Sequence, residues 1–280
     1  MISEDALKSR LQAATKATGL TFNEVFHQLI MERFLVRLSL SNHASHFIFK
    51  GGFLLSRYVD LGRDTRDLDF LLSKLTSQKE ILEPVLTEIA QINASDNFVY
   101  SLKKVKILVH DHMNYPGYTA NLAVNFGKMR ENLDIDIGVG DTVSPARTAI
   151  KLMQSKGKSI FEDEVSLLVY PPETILAEKL QTAVLRAGQN SRMKDFYDIL
   201  CILESSQLSK ETFKKEITTT FNNRKTSIEK LPLRFSDAEF ETLQKFWGAF
   251  YRSLRKKDHI PQSLREVVEI INLQLIQLGF

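Results

Sequence analysis

The chain has one cysteine, Cys201, among its 280 residues. A single thiol cannot form an internal disulfide, and the six histidines show no spacing with it that would complete a zinc site. The lack of a disulfide framework is typical of proteins from a reducing compartment. We therefore expect a cytoplasmic location.

Long hydrophobic runs are also missing. No uncharged apolar stretch reaches the ~18 residues that a membrane helix needs. The opening residues, MISEDALKSR, mix acids and bases and do not resemble a signal peptide. We expect neither a membrane span nor export by the usual route. Hydrophobic residues make up 43% of the chain and charged residues 25%, which excludes disordered and low-complexity classes.

The chain also has little excess of one charge over the other. The net charge is +3 and the isoelectric point is near 8.8, an excess that permits nucleic-acid contact without requiring it. Residues 206–280 hold thirteen Lys or Arg and nine Asp or Glu, a surplus of four positive charges. The C-terminal region is therefore the basic part.

Hydrophobic periodicity predicts an α+β chain with two lobes. Residues 1–165 should form the first lobe, with two leading helices and a mixed sheet in which three late β segments make a meander beside an earlier pair of strands. Residues 166–280 should form a helical bundle. The predicted helices are 4–18, 22–39, an apolar stretch after Gly52 that ends at Val59, 77–92, 173–186, 192–203, 210–221, 237–254 and 262–278. The predicted strands include 47–49, 67–72, 99–109, 118–126, 133–139 and 165–170.

Two acidic pairs fall on predicted strands. Side chains alternate along a strand, so Asp67 and Asp69 project on one side about 7 Å apart, and Asp134 and Asp136 repeat the pattern. Close carboxylates repel each other unless a cation lies between them, and their oxygens suit Mg²⁺. The sequence predicts a metal site here, with an ordinary solvated strand face as the alternative.

A glycine turn precedes the first acidic strand. Gly51 and Gly52 follow Lys50 where a predicted strand gives way to a helix, which can bring backbone amides against a phosphate. A plain turn is the alternative. Arg63 and Thr65 flank the acidic strand and can position phosphate or cap the turn.

The glycine turn, the DxD strand and the third acid together resemble the nucleotidyltransferase superfamily with the polymerase-beta-like fold. The resemblance implies that Asp67, Asp69 and Asp136 hold two Mg²⁺ or Mn²⁺ ions, which orient a nucleoside triphosphate and activate the attacking hydroxyl. Many superfamily members have serine after the first glycine. Because Gly52 stands there in this chain, any phosphate contact must come from backbone amides.

Two downstream segments, 170–180 and 191–198, form a more specific set of motifs together with residues 50–52, 65–70 and 136–141. In this order they resemble the AbiEii/AbiGii toxin family of nucleotidyltransferases. The resemblance implies a toxin of a bacterial toxin–antitoxin or phage-defence operon that transfers a nucleotide to an acceptor hydroxyl. We expect the tRNA 3′ end as the acceptor and a cognate antitoxin encoded nearby.

The same resemblance assigns roles within these segments. Lys179 matches the lysine near the triphosphate, Asp195 matches the acid required for activity, and Arg192 is a candidate for nucleotide binding. The residues expected to support them are Glu178, Lys194 and Asp198. The alternatives are a surface charge pair for Lys179 and ordinary intrahelical ion pairs for Arg192 and Asp195.

A basic run at the end of a predicted helix is the candidate RNA-binding surface. It consists of Arg252, Arg255, Lys256 and Lys257. Cations at a helix C-terminus also complement the helix dipole, so a solvated helix end is the alternative.

Two other functions remain open from the sequence. A metal-dependent phosphodiesterase could use the same acids, and a catalytically decayed protein could bind a nucleotide or partner without turnover.

Overall fold

The computed structural model describes residues 2–108, 117–161, 164–205 and 208–280. The chain divides into two compact units. Unit 1 consists of Met1–Arg57, Thr65–Gly140 and Pro145–Val169, and unit 2 consists of Tyr58–Asp64, Asp141–Ser144 and Tyr170–Phe280. Two short segments of unit 2 thus come from the span assigned to the first lobe. The boundary at residues 165 and 166 stays a prediction.

Unit 1 contains a seven-stranded mixed sheet. Its strands are β1 (Phe47–Lys50), β2 (Asp67–Leu72), β3 (Val99–Leu108), β4 (Gly117–Phe126), β5 (Met129–Gly138), β6 (Ala146–Ile150) and β9 (Val165–Val169), and a small hairpin is made by β7 (Gln154–Ser155) and β8 (Lys158–Ser159). The strand order is β3-β4-β5-β2-β1-β9-β6. The predicted meander of β3, β4 and β5 beside β2 is confirmed, although Val109 lies outside the described residues.

The helices of unit 1 are α1 (Glu4–Thr18), α2 (Phe22–Leu40), α3 (Gly51–Tyr58, whose last residue belongs to unit 2) and α4 (Lys79–Gln91). Helix α2 begins with a capping box, in which Thr21 and Glu24 satisfy each other's backbone amides. It is buried along most of its length. Its two buried arginines, Arg33 and Arg37, both form ion pairs with Asp96, with nitrogen-to-oxygen distances of 2.6 and 2.7 Å.

Strand β6 was not predicted. Its sequence, Ala146-Arg147-Thr148-Ala149-Ile150, buries only Ile150 and therefore lacks the alternation that marks a half-buried strand. It forms because β9 offers an unpaired edge, along which the two strands pair antiparallel. The two short strands β7 and β8 were not predicted either. The remaining strands follow the predicted pattern, and the α+β fold with a mixed sheet is confirmed.

Unit 2 is helical. Its helices are α5 (Pro172–Arg186), α6 (Met193–Ser205), α7 (Lys210–Asn223), α8 (Asp237–Ser253) and α9 (Leu264–Leu278). Pro172 occupies the first turn of α5, where its missing amide hydrogen costs nothing. Trp247 is fully buried and donates its indole hydrogen to the Pro261 carbonyl over 3.1 Å. Within the described ranges, every helix is too short or too polar to cross a bilayer.

Candidate active site

The three acids singled out by the sequence lie together on one face of the sheet in unit 1. In the parallel pairing of β2 with β5, Asp69 stands opposite Asp136. On the other side of β2, the antiparallel pairing with β1 places Lys50 opposite Asp69. One carboxylate oxygen from each of Asp67, Asp69 and Asp136 lies within 4.8 Å of the other two. The sheet register therefore assembles the cluster.

Only glycine suits position 51, next to this cluster, for two reasons. Its φ of +76° lies in the left-handed region, which favours glycine. A Cβ at this position would also overlap the Asp69 carboxylate and would lie 2.6 Å from the Asp69 Cβ. Carbon atoms in contact stand about 3.5 to 4.0 Å apart. The predicted glycine turn is thus a close approach of the backbone to an acid.

Neighbouring strand β4 supplies hydrogen bonds to β5 on the same face. The Thr119 hydroxyl donates to Asp136 over 2.6 Å. The Asn121 side-chain amide donates to Asp134 over 2.7 Å, and Asp134 is exposed and outside the close cluster. Thr119 was not found from the sequence, because only the register of β4 against β5 brings it to Asp136.

The composition of this cluster fits a divalent cation. Three carboxylates offer hard oxygen ligands within 4.8 Å of one another, and their mutual repulsion is relieved when a cation lies between them. Each of the three is partly accessible to solvent, as a site that exchanges ions and substrate requires. The donor set suits Mg²⁺ or Mn²⁺.

A second cluster of charged side chains lies within unit 2. Lys179 on α5 contacts two acids of α6, Asp195 at 2.9 Å and Asp198 at 2.7 Å. Asp198 also accepts two hydrogen bonds from Arg63, at 2.7 and 2.6 Å. Arg192 donates to the second oxygen of Asp195 over 2.7 Å. Five of the predicted site residues are therefore held in one network.

Burial makes this network electrostatically strong. Both acids are almost completely enclosed, with side-chain exposures of 2% for Asp195 and 0% for Asp198. Burial alone would raise the pKa of Asp195, but the charges and hydrogen bonds of Lys179 and Arg192 lower it to about 2. Burial would lower the pKa of Lys179, yet its two carboxylate partners raise it above the ordinary value. Asp195 and Lys179 therefore both remain ionised near neutral pH.

Sequence reasoning missed the part played by Arg224 in unit 2. Its guanidinium donates to Asp141 at 3.0 and 2.7 Å, to Glu178 at 2.7 Å and to Gln181 at 3.1 Å. The Tyr170 hydroxyl also donates to Glu178, over 3.3 Å. Arg224 lies outside the recognised motifs. The only available signal was that two of its partners, Asp141 and Glu178, belong to them.

The remaining predicted residues have varied surroundings. Thr65 is buried, Lys50 and Gly52 are half-buried, and Lys194 is exposed. In the basic run, Lys256 forms an ion pair with Asp60, and the Lys257 ammonium donates to the Arg252 carbonyl over 3.2 Å. Two cations of this run are thus engaged inside unit 2, and its role in RNA binding stays a prediction.

Comparisons with known proteins agree with the fold. A crystal structure from Helicobacter pylori, described as that of a candidate nucleotidyltransferase, superposes with a TM-score of 0.52 at 14% identity, covering 92% of this chain and 96% of that one. Two others are JHP933 from Helicobacter pylori (TM-score 0.49, 14% identity, 92% and 93% covered) and an antigenic nucleotidyltransferase-like protein from Paracoccidioides brasiliensis (0.38, 14%, 76% and 97%). A search of curated protein sequences found no match.

Family membership rests on the sequence itself. Residues 33–269, most of the chain, match the profile of a family described as the nucleotidyl transferase AbiEii toxin of a type IV toxin–antitoxin system. The matched span includes the acidic cluster, the Gly51 turn and the Lys179 network. This chain belongs to the AbiEii family of nucleotidyltransferase toxins.

Proposed function

We propose that this chain transfers a nucleoside monophosphate from a nucleoside triphosphate to the 3′ hydroxyl of tRNA, with Asp67, Asp69 and Asp136 holding Mg²⁺ or Mn²⁺. The observation that carries the proposal is the cluster of three carboxylates within 4.8 Å, packed against a glycine that leaves no room for a side chain. Bound ions would supply Lewis-acid activation of the hydroxyl and stabilise the charge of the leaving group.

At phosphorus the reaction forms one bond and breaks one, and the acceptor hydroxyl releases its proton to solvent. The acceptor oxygen bonds to the α-phosphorus, while the bond from that phosphorus to the bridging oxygen breaks and pyrophosphate leaves. Asp69 and Asp136 are held at fixed positions by neighbouring strands, and Thr119 orients Asp136 through its hydrogen bond. Positioning of this kind supplies much of the rate enhancement in phosphoryl transfer.

The nucleotide is expected to contact the backbone amides that begin α3. Gly51 and Gly52 present amides without side chains. Lys50 is the last residue of β1, and Thr65 stands two residues before β2. Arg63, Lys179 and Arg192 are the proposed cationic contacts, and Asp195 is the acid that holds the last two. Glu178, Lys194 and Asp198 are proposed to support them.

The biological setting follows from the family. A type IV toxin–antitoxin system includes an antitoxin as a partner. Extension or blocking of the tRNA 3′ end would stop aminoacylation, which is the effect expected of a toxin in a phage-defence operon.

The test is to incubate the protein with each α-labelled nucleoside triphosphate, Mg²⁺ or Mn²⁺, and total bacterial RNA. We expect one triphosphate to label a tRNA-sized band at its 3′ end, and a chelator to remove the labelling. Release of free monophosphate with no labelled acceptor would indicate a phosphodiesterase instead. Label on a protein band would replace tRNA as the acceptor.

A further inference from the structure

The sheet face that carries the acidic cluster continues across β4 to the edge strand β3. In the observed registers, Lys106 of β3 pairs with Thr119 of β4, which pairs with Asp136 of β5, which pairs with Asp69 of β2. Paired residues share a face of a sheet. With strands about 4.8 Å apart, the backbone of Lys106 lies about 10 Å from that of Asp136.

The neighbouring row repeats this arrangement. Lys104 pairs with Asn121, and Asn121 pairs with Asp134. Farther along the same face of β5 come Asn132 and then Arg130, six residues from Asp136. At about 3.4 Å per residue, the face extends about 20 Å from the acidic cluster to Arg130.

An irregularity in β3 turns the lysines toward this face. The register between β3 and β4 shifts between Leu102 and Lys104, so that Lys103 is an extra residue on β3. Without this bulge, the alternation that places Tyr100 on the buried face would also place Lys104 and Lys106 there. With it, Val105 is buried instead and the lysines are exposed.

The charge of the face is uneven. Lys103, Lys104, Lys106 and Arg130 are all exposed, and among the described residues none of the four has an ion-pair partner. Asp67, Asp69, Asp134 and Asp136 lie at the other side of the face. A groove at the far end is lined by Lys103, Asn125, Arg130, Asn132 and Glu131, so that two positive charges and two side-chain amides stand beside one carboxylate.

We propose that this basic face, defined by Lys103, Lys104, Lys106 and Arg130, binds the backbone phosphates of the single-stranded 3′ end of the tRNA acceptor and leads its 3′ hydroxyl to the acidic cluster. The inference rests on the proposed function and names where its acceptor binds. Lysine and arginine neutralise phosphates, while the amides of Asn125 and Asn132 can hydrogen-bond to unstacked bases. The acidic cluster repels the phosphate backbone except where a cation is bound.

This surface differs from the basic run at Arg252 to Lys257. There, Lys256 and Lys257 already have partners in unit 2, whereas the four cations of the basic face project from a continuous sheet that also holds the acids. Lysines on an edge strand can also serve only to prevent pairing with other chains. The experiment must separate that role from RNA binding.

The test compares two triple variants with the same change of charge. One replaces Lys103, Lys104 and Lys106 by Gln, and the control replaces the exposed Lys16, Lys151 and Lys158 of the same unit by Gln. Binding of bacterial tRNA and of a short single-stranded RNA is measured against salt. We expect the first variant to weaken binding at least tenfold and to make the logarithmic salt slope shallower by about 2, because each phosphate contact on a single strand contributes about 0.7.

The first variant should still bind the triphosphate with Mg²⁺ as wild type does, whereas the control should match wild type throughout. Equal RNA binding by both variants, with RNA labelling intact, would overturn this inference and leave the proposed function standing. Aggregation of the first variant with RNA binding unchanged would assign the lysines to edge protection and would also overturn it. Wild-type protein that binds triphosphate but neither binds nor labels RNA would overturn both.

Discussion

The carboxylate of Asp69 occupies the space that a side chain at position 51 would need. Gly51 begins α3 directly after β1, and Asp69 lies on β2, which pairs with β1 through Lys50 and Asp69. The backbone of the glycine turn therefore packs directly against one member of the acidic cluster. Gly51 and Asp69 form one structural unit, although they are eighteen positions apart in the sequence.

Substitution of Gly51 by Ala should abolish nucleotide transfer. The new methyl group must displace Asp69, and the left-handed backbone adds a strain of about 1 kcal/mol. Gly157 is the matched control, because its φ is +80° and no atom lies within 4 Å of an added Cβ. Gly157→Ala should show the strain in its free energy of unfolding and keep full activity. An active Gly51→Ala variant would contradict the close packing of turn and acid.

Asp69→Asn should lower the rate of transfer about a hundredfold or more while the protein stays folded. The change keeps the shape of the side chain and removes a charged ligand, which loses several kcal/mol of transition-state stabilisation. Asp134→Asn is the control, because Asp134 lies on the same face but outside the cluster. Rates and thermal unfolding are measured for both. Equal losses of activity would show that the close cluster does not define the metal site.

The network of Lys179 and Asp195 should make stability depend on acid pH. The pKa of Asp195 is about 2 in the folded protein against an ordinary value of 3.8, so its stabilising contribution is present above pH 3.8 and is lost as pH falls toward 2. That contribution is about 2 kcal/mol. The free energy of unfolding of wild type should therefore fall more between pH 5 and pH 2 than that of Asp195→Asn. Asp258→Asn, an exposed change of the same kind, should follow wild type.

The contacts of Arg224 predict that the stability of the fold depends on a guanidinium group at this position. Arg224→Lys keeps the charge but cannot reach Asp141, Glu178 and Gln181 together, so the free energy of unfolding should fall by about 2 kcal/mol. Arg234 is exposed, and Arg234→Lys should leave stability within about 0.5 kcal/mol of wild type. Chemical denaturation measures both variants. An Arg224→Lys variant as stable as the control would show that the lysine satisfies the same partners.

The sequence alone determined most of the elements of this protein. Alternating acids and aliphatic residues predicted β2 and β5 because side chains on a strand alternate with a period of two, and Pro172 marked the start of α5 because proline suits a first helical turn. These are local properties of the backbone. They are present in a few consecutive residues and do not depend on what packs against them.

Only the tertiary structure decided which residues meet. Asp69 stands opposite Asp136 because of the register of β2 with β5, and the bulge at Lys103 decides which face the lysines of β3 occupy. Arg63 contacts Asp198 across 135 positions of sequence. Such pairings depend on strand order and on the packing of distant helices. A local sequence pattern contains no information on strand order or on helix packing. The charged networks could therefore be identified only from the tertiary structure.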